Sequence, residues 1–119
     1  MTYLEFNEYC KSLKSTTYVV QWGGAHVWKI GGKVFAIGGW NKDSGTEAYT
    51  FKVSELNFDV LKDQPGFRPA PYLASRGFKW IQQFDTDSKL NKQLQYYLSE
   101  SYQMVAKGLS QKRQKELGL

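Results

Sequence analysis

Hydrophobic positions along this chain change period several times, and each change marks an element. Phe6, Cys10 and Leu13 recur at helical spacing. They follow Thr2 and Glu5, a T-x-x-E capping box in which each side chain satisfies an otherwise unpaired amide. Three short runs rich in β-branched and aromatic residues come next, over 18–22, 26–30 and 33–37. Glycine pairs at 23–24, 31–32 and 38–39 separate them and favour tight turns, Gly31-Gly32 being the clearest two-residue hairpin. After a polar loop over 41–47, a strand is expected over 48–53. There Tyr49, Phe51 and Val53 alternate with Ala48, Thr50 and Lys52, predicting one buried and one wet face. Ser54 can cap a short helix to about Asp63, with Leu56, Val60 and Leu61 as its apolar face and Pro65-Gly66 as its stop. A fifth strand is read over 78–84. Asp85–Ser88 offers caps for a long helix with the stripe Leu90, Leu94, Tyr97, Leu98, Tyr102, Val105 and Leu109. Ser110 could cap a terminal helix over 111–117.

The order helix, four strands, helix, strand, helix predicts an α+β fold in two layers. An antiparallel sheet of about five strands would carry the N- and C-terminal helices on one face. Composition agrees with a single folded domain over 1–119: 41% of residues are apolar and 16% aromatic. No apolar run approaches the ~18 residues that span a bilayer, and the acidic start MTYLEFNEYC does not read as a signal peptide. The single cysteine allows no internal disulfide and no cysteine-based metal site. A cytoplasmic monomer is the expectation.

The net charge of +5 suggests nucleic acid, but +3 of it lies in residues 101–119. Catalytic chemistry finds no footing. Gly32-Lys33 resembles the end of a P-loop, yet Val34 replaces the Ser/Thr and Val27 the first glycine. One imidazole, His26, cannot hold zinc alone. Asp85 and Asp87 stand where acids complement a helix dipole, and Ser44 lacks the nucleophile-elbow context. The tryptophans at 22, 28, 40 and 80 read as core, with Trp40 the one expected to be exposed. The chain is therefore expected not to be an enzyme and to need no cofactor or metal.

Two basic features remain. Lys29 and Lys33 flank the Gly31-Gly32 turn and could grip phosphates; edge lysines also serve to keep a hairpin unpaired. Residues 65–80, PGFRPAPYLASRGFKW, hold all three prolines with Arg68, Arg76 and Lys79 and no acid. Lys52, Arg68, Arg76 and Lys79 would add to the hairpin cations if the fold gathers them.

Taken together, these motifs resemble the MmcQ/YjbR family of small bacterial proteins. The resemblance rests on Tyr9-Cys10, Trp28-Lys29-Ile30, GKVFA at 32–36, Phe51-Lys52, PAPYLA at 69–74, Lys79-Trp80 and Ser101-Tyr102. It implies a CyaY-like, frataxin-like fold and DNA binding through a "double wing" of hairpins and loops. On this chain that points to Lys29, Lys33, Arg68, Arg76 and Lys79 as phosphate contacts. Frataxin-like iron handling would need clustered carboxylates, whereas Glu5 and Glu8 are followed by Lys11 and Lys14. A competing expectation is a protein- or peptide-interaction module built on Pro69, Pro71, Tyr72, Leu73 and Trp80, with an exposed sheet edge able to add a partner strand. A third is a small-molecule pocket in which Tyr72 and Arg76 fix an acidic ligand.

Overall fold

The computed structural model describes residues 1–39, 47–71, 73, 77–84 and 91–119. The capping box forms as expected: Thr2 and Glu5 exchange hydrogen bonds of 3.1 and 3.2 Å and start α1, Tyr3–Ser12. Strands β1 (Thr16–Gln21), β2 (Ala25–Ile30) and β3 (Lys33–Gly38) make an antiparallel meander. Gly31 and Gly32 adopt φ of +60° and +82°, the left-handed pair a two-residue primed turn requires. A Cβ on Gly31 would stand 2.6 Å from Leu109, so this turn also closes tightly on the C-terminal helix region. Strand β4 is Tyr49–Lys52 and helix α2 is Glu55–Leu61, capped by Ser54. Strands β5 (Phe67–Pro69) and β6 (Trp80–Gln83) precede the long α3 (Asn91–Lys107) and the short α4 (Gln111–Glu116), the latter capped by Ser110.

The sheet is antiparallel throughout, in the order β1-β2-β3-β4-β6-β5. It has six strands where the sequence predicts about five. The missed strand, β5, lies inside the proline-rich segment. Proline is tolerated on an edge strand, whose outer side needs no ladder donor. Helices α1 and α3 cover one face, over a core of Phe6, Trp28, Phe35, Phe51, Ile81 and Leu98. The stripe predicted from the sequence is buried at Leu94, Leu98 and Val105 in α3 and at Leu109 just beyond it.

Three local expectations are corrected. The second sheet face is not simply wet: Ala48 and Thr50 are fully buried, and Ala25, Val27 and Ile37 form a smaller apolar cluster there. Gln82 donates to the Thr50 hydroxyl at 3.2 Å and accepts from the Arg68 Nε at 2.9 Å, so a polar ladder crosses β4, β6 and β5 on that face. Helix α2 presents Leu61, with Phe58 half-buried, to the body; Leu56 and Val60 are left exposed. A helix of seven residues can turn inward only positions one turn apart, and here these are 58 and 61. Trp22 is also exposed, because it lies in the β1–β2 turn with φ +53° rather than in a strand.

Candidate functional site

The cations are placed by the sheet. Lys33 opens β3, Lys52 closes β4, and Lys79 immediately precedes β6. These three strands are consecutive neighbours, so their ends bring the three amines to one end of the sheet. A groove of about 570 Å³ opens there, between the β2–β3 hairpin, the 77–80 segment and the end of α3. Lys33, Lys52 and Lys79 share its lining with Phe78, Trp80 and Met104, among others, and no carboxylate lines it among the described residues. A concave wall bearing charge of one sign raises the local concentration of anions.

Lys79 sits with its Nζ 4.7 Å from the centre of the Phe58 ring, a cation–π contact that steadies the amine. Lys52 is anchored through its backbone N–H, which donates to the Ser101 hydroxyl at 2.9 Å. Lys52 and Trp80 are cross-strand partners, so amine and indole lie side by side on one sheet face. The segment before β6 is tied down by Ala70 N–H donating to the Trp80 carbonyl at 3.0 Å and Phe78 N–H to the Leu73 carbonyl at 3.3 Å.

Of the cations named from the sequence, the fold gathers Lys33, Lys52 and Lys79. Lys29 is half-buried one strand away, paired with Val34, which itself lines the groove. Arg68 stands apart. It is on the edge strand β5, next to β6, where it pairs with Gln82 and does not line the groove. Its guanidinium is engaged by Gln82 and lies 4.8 Å from the Phe84 ring centre. Arg76, Tyr72 and Trp40 lie outside the described residues, as do Leu90 and the capping residues Asp85–Ser88. The aromatic–proline surface is divided. Pro69 is exposed, Leu73 packs against the second cluster, and Trp80 faces the groove. A second cleft of about 410 Å³, between α1 and β1, mixes Glu8 with Lys11 and so carries no single sign of charge.

His26 receives the Tyr18 hydroxyl at 2.7 Å through Nδ1 and lies against the Tyr3 ring. Burial pushes the Cys10 thiol well above its ordinary range, leaving it protonated at neutral pH. Burial, reinforced by Glu47, does the same to the Tyr49 hydroxyl, which shares its one proton between the Met1 carbonyl and a Glu47 carboxylate oxygen, each 2.8 Å away. The native protein is accordingly expected to resist a colourless-to-coloured thiol reagent at pH 8 and to react fully in denaturant. Prompt reaction of one thiol per native chain would show that Cys10 is accessible. Among the described residues no group of three or more His, Cys, Asp or Glu is placed to hold a metal ion. No helix among them is long and apolar enough to cross a membrane.

The arrangement defines a small two-layer α+β domain with a lysine-lined groove at one end of its sheet. The chain belongs to the YjbR family, whose model matches residues 11–104. Its fold is similar to that of DR2400 from Deinococcus radiodurans, a DUF419 protein, with a TM-score of 0.83 at 21% identity over 99% of this chain and 88% of that one. It is also similar to a structural-genomics protein from Pseudomonas syringae, with a TM-score of 0.70 at 20% identity over 88% of this chain and 99% of that one. No curated protein matches the chain.

Proposed function

We propose that this protein binds DNA by its phosphate backbone, through Lys33, Lys52 and Lys79 around the groove with Lys29 beside them. The observation that carries the reading is the convergence of three lysines, from three adjacent strands, on one groove without a carboxylate in its described lining. The resemblance of the hairpin to a DNA-contacting wing supports it. Lys33 flanks the primed turn that a wing tip would use. The reading includes no catalytic step, no cofactor and no metal, and takes the protein as a cytoplasmic monomer.

Fluorescence anisotropy with labelled DNA tests it. Four phosphate contacts predict that affinity falls roughly a hundredfold between about 50 and 200 mM salt, since each contact releases close to one counterion. The Lys29→Glu/Lys33→Glu variant should bind more weakly and with a shallower salt slope. Unchanged affinity in that variant would remove the hairpin from the site, and absence of binding by the folded parent at low salt would end the DNA reading.

A second reading, strand addition by a protein partner, is favoured by one observation. Edge strand β1 has six residues, no charge and no proline, and exposes Tyr18 and Val20, whereas the opposite edge β5 has three residues and ends on Pro69. Binding through it would survive high salt.

A further inference from the structure

Backbone contacts alone would leave half of the groove unexplained. Beside its three amines the groove is lined by apolar side chains, Phe78, Trp80 and Met104 together with Leu73 and Val105. Phe78 is 52% exposed, a large aromatic left in water directly beside Lys79. We propose that the groove seats an unpaired base, so that the preferred ligand is single-stranded DNA. This inference rests on the DNA reading above and adds to it which form of DNA the site selects.

Shape and chemistry both favour the single strand. A duplex offers a convex ridge of phosphates and keeps its bases stacked inside. It can meet the lysines of the groove, but its stacked bases cannot reach the apolar side chains that line the same groove. The open groove, of about 570 Å³, has room for an unpaired base against its aromatic side chains while the phosphates meet its lysines. Every base has a π-face, so exposed aromatic side chains beside amines take single strands with little regard to sequence. The side-by-side placement of Lys52 and Trp80 supplies an amine and a ring at the spacing of one cross-strand pair. Phe78 does not hang on a free tail: its carbonyl accepts the Trp80 N–H at 3.1 Å and its N–H reaches the Leu73 carbonyl, which presents the ring from a tied backbone.

The test compares a labelled single-stranded 15-mer with its duplex by anisotropy, for the parent and for Phe78→Ala. The exposed position of Phe78 lets the variant keep its fold, to be verified by circular dichroism. The expected result is tighter binding of the single strand, and about a tenfold loss of that binding in Phe78→Ala with duplex binding unchanged, the worth of one stacked base. Equal or better binding of duplex, or a Phe78→Ala variant that binds the single strand as the parent does, overturns the inference while leaving the DNA reading standing. If neither form binds, both fall. An acidic peptide such as polyglutamate that displaces the labelled strand as efficiently as unlabelled DNA of the same charge would also overturn it, by making the groove a site for acidic peptides.

Discussion

Replacing Ser101 by alanine is expected to destabilise the protein by roughly 2–4 kcal/mol, about a 10 °C fall in melting temperature for a domain of this size. The register explains why so small a change costs so much. Strands β3 and β4 pair at Gly38↔Tyr49, Ile37↔Thr50 and Ala36↔Phe51, and the next pair in line would be Phe35 with Lys52. That pair does not form. The β2–β3 register shifts where Ala36 pairs with Trp28 and Val34 with Lys29, so Phe35 is the extra residue of a bulge. The Ser101 hydroxyl from α3 fills the gap, donating to the Phe35 carbonyl at 2.6 Å and accepting the Lys52 N–H at 2.9 Å. Ser101 is fully buried. Alanine would leave one donor and one acceptor without partners away from bulk water, each worth about 1–3 kcal/mol. Ser99→Ala, two positions earlier on the same helix, is the control and should be near neutral or slightly stabilising, as alanine favours helix. A Ser101→Ala melting temperature within about 2 °C of the parent would show that the bridge contributes little.

Much of this fold was legible in the sequence, for identifiable reasons. Thr2/Glu5, Ser54 and Ser110 cap helices because a cap is a local hydrogen bond that needs no tertiary partner. The Gly31-Gly32 hairpin is equally local. The α3 stripe was readable because 17 residues give four turns over which the period repeats. Strand β5 was not, since three residues ending on a proline give no period. The facing of α2 failed for the same reason: two turns allow several apolar faces, and the fold chose Phe58 with Leu61. The burial of Thr50 had no local signal at all. It depends on Gln82 and Arg68 arriving from two other strands.

The site follows the same division. Positive charge at the hairpin and before β6 could be read directly, but which cations converge is set by strand order. Because β6 inserts between β4 and β5, Lys79 is brought beside Lys52 while Arg68 is carried to the outer edge. Ser101 then links fold to site, for the hydroxyl that closes the bulge also fixes the backbone of Lys52, a groove residue. Tyr102, its neighbour, donates to the Lys14 carbonyl at 2.6 Å and meets the Phe35 ring edge-on, so adjacent α3 residues tie down both sides of the meander.

That convergence yields the largest functional prediction. Reversing Lys33, Lys52 and Lys79 together to glutamate should weaken DNA binding by at least about a hundredfold at low salt and flatten the slope of log affinity against log salt by about 2.7, three counterions fewer. Net charge alone could weaken binding, because three reversals take the chain from +5 to −1. The matched control reverses Lys11, Lys14 and Lys92, which change the net charge equally but do not line the groove. If both triple variants lose affinity alike, binding follows the overall field and the groove has no special part in it. If the control retains most of its affinity while the groove variant does not, the ends of β3, β4 and β6 are the binding surface. Arg68→Glu separates the remaining possibility. Its guanidinium serves the Thr50–Gln82 ladder, so the substitution should lower the melting temperature while leaving DNA affinity near that of the parent. A folded Arg68→Glu protein that loses DNA as completely as the groove variant would extend the surface from β6 onto the edge strand β5.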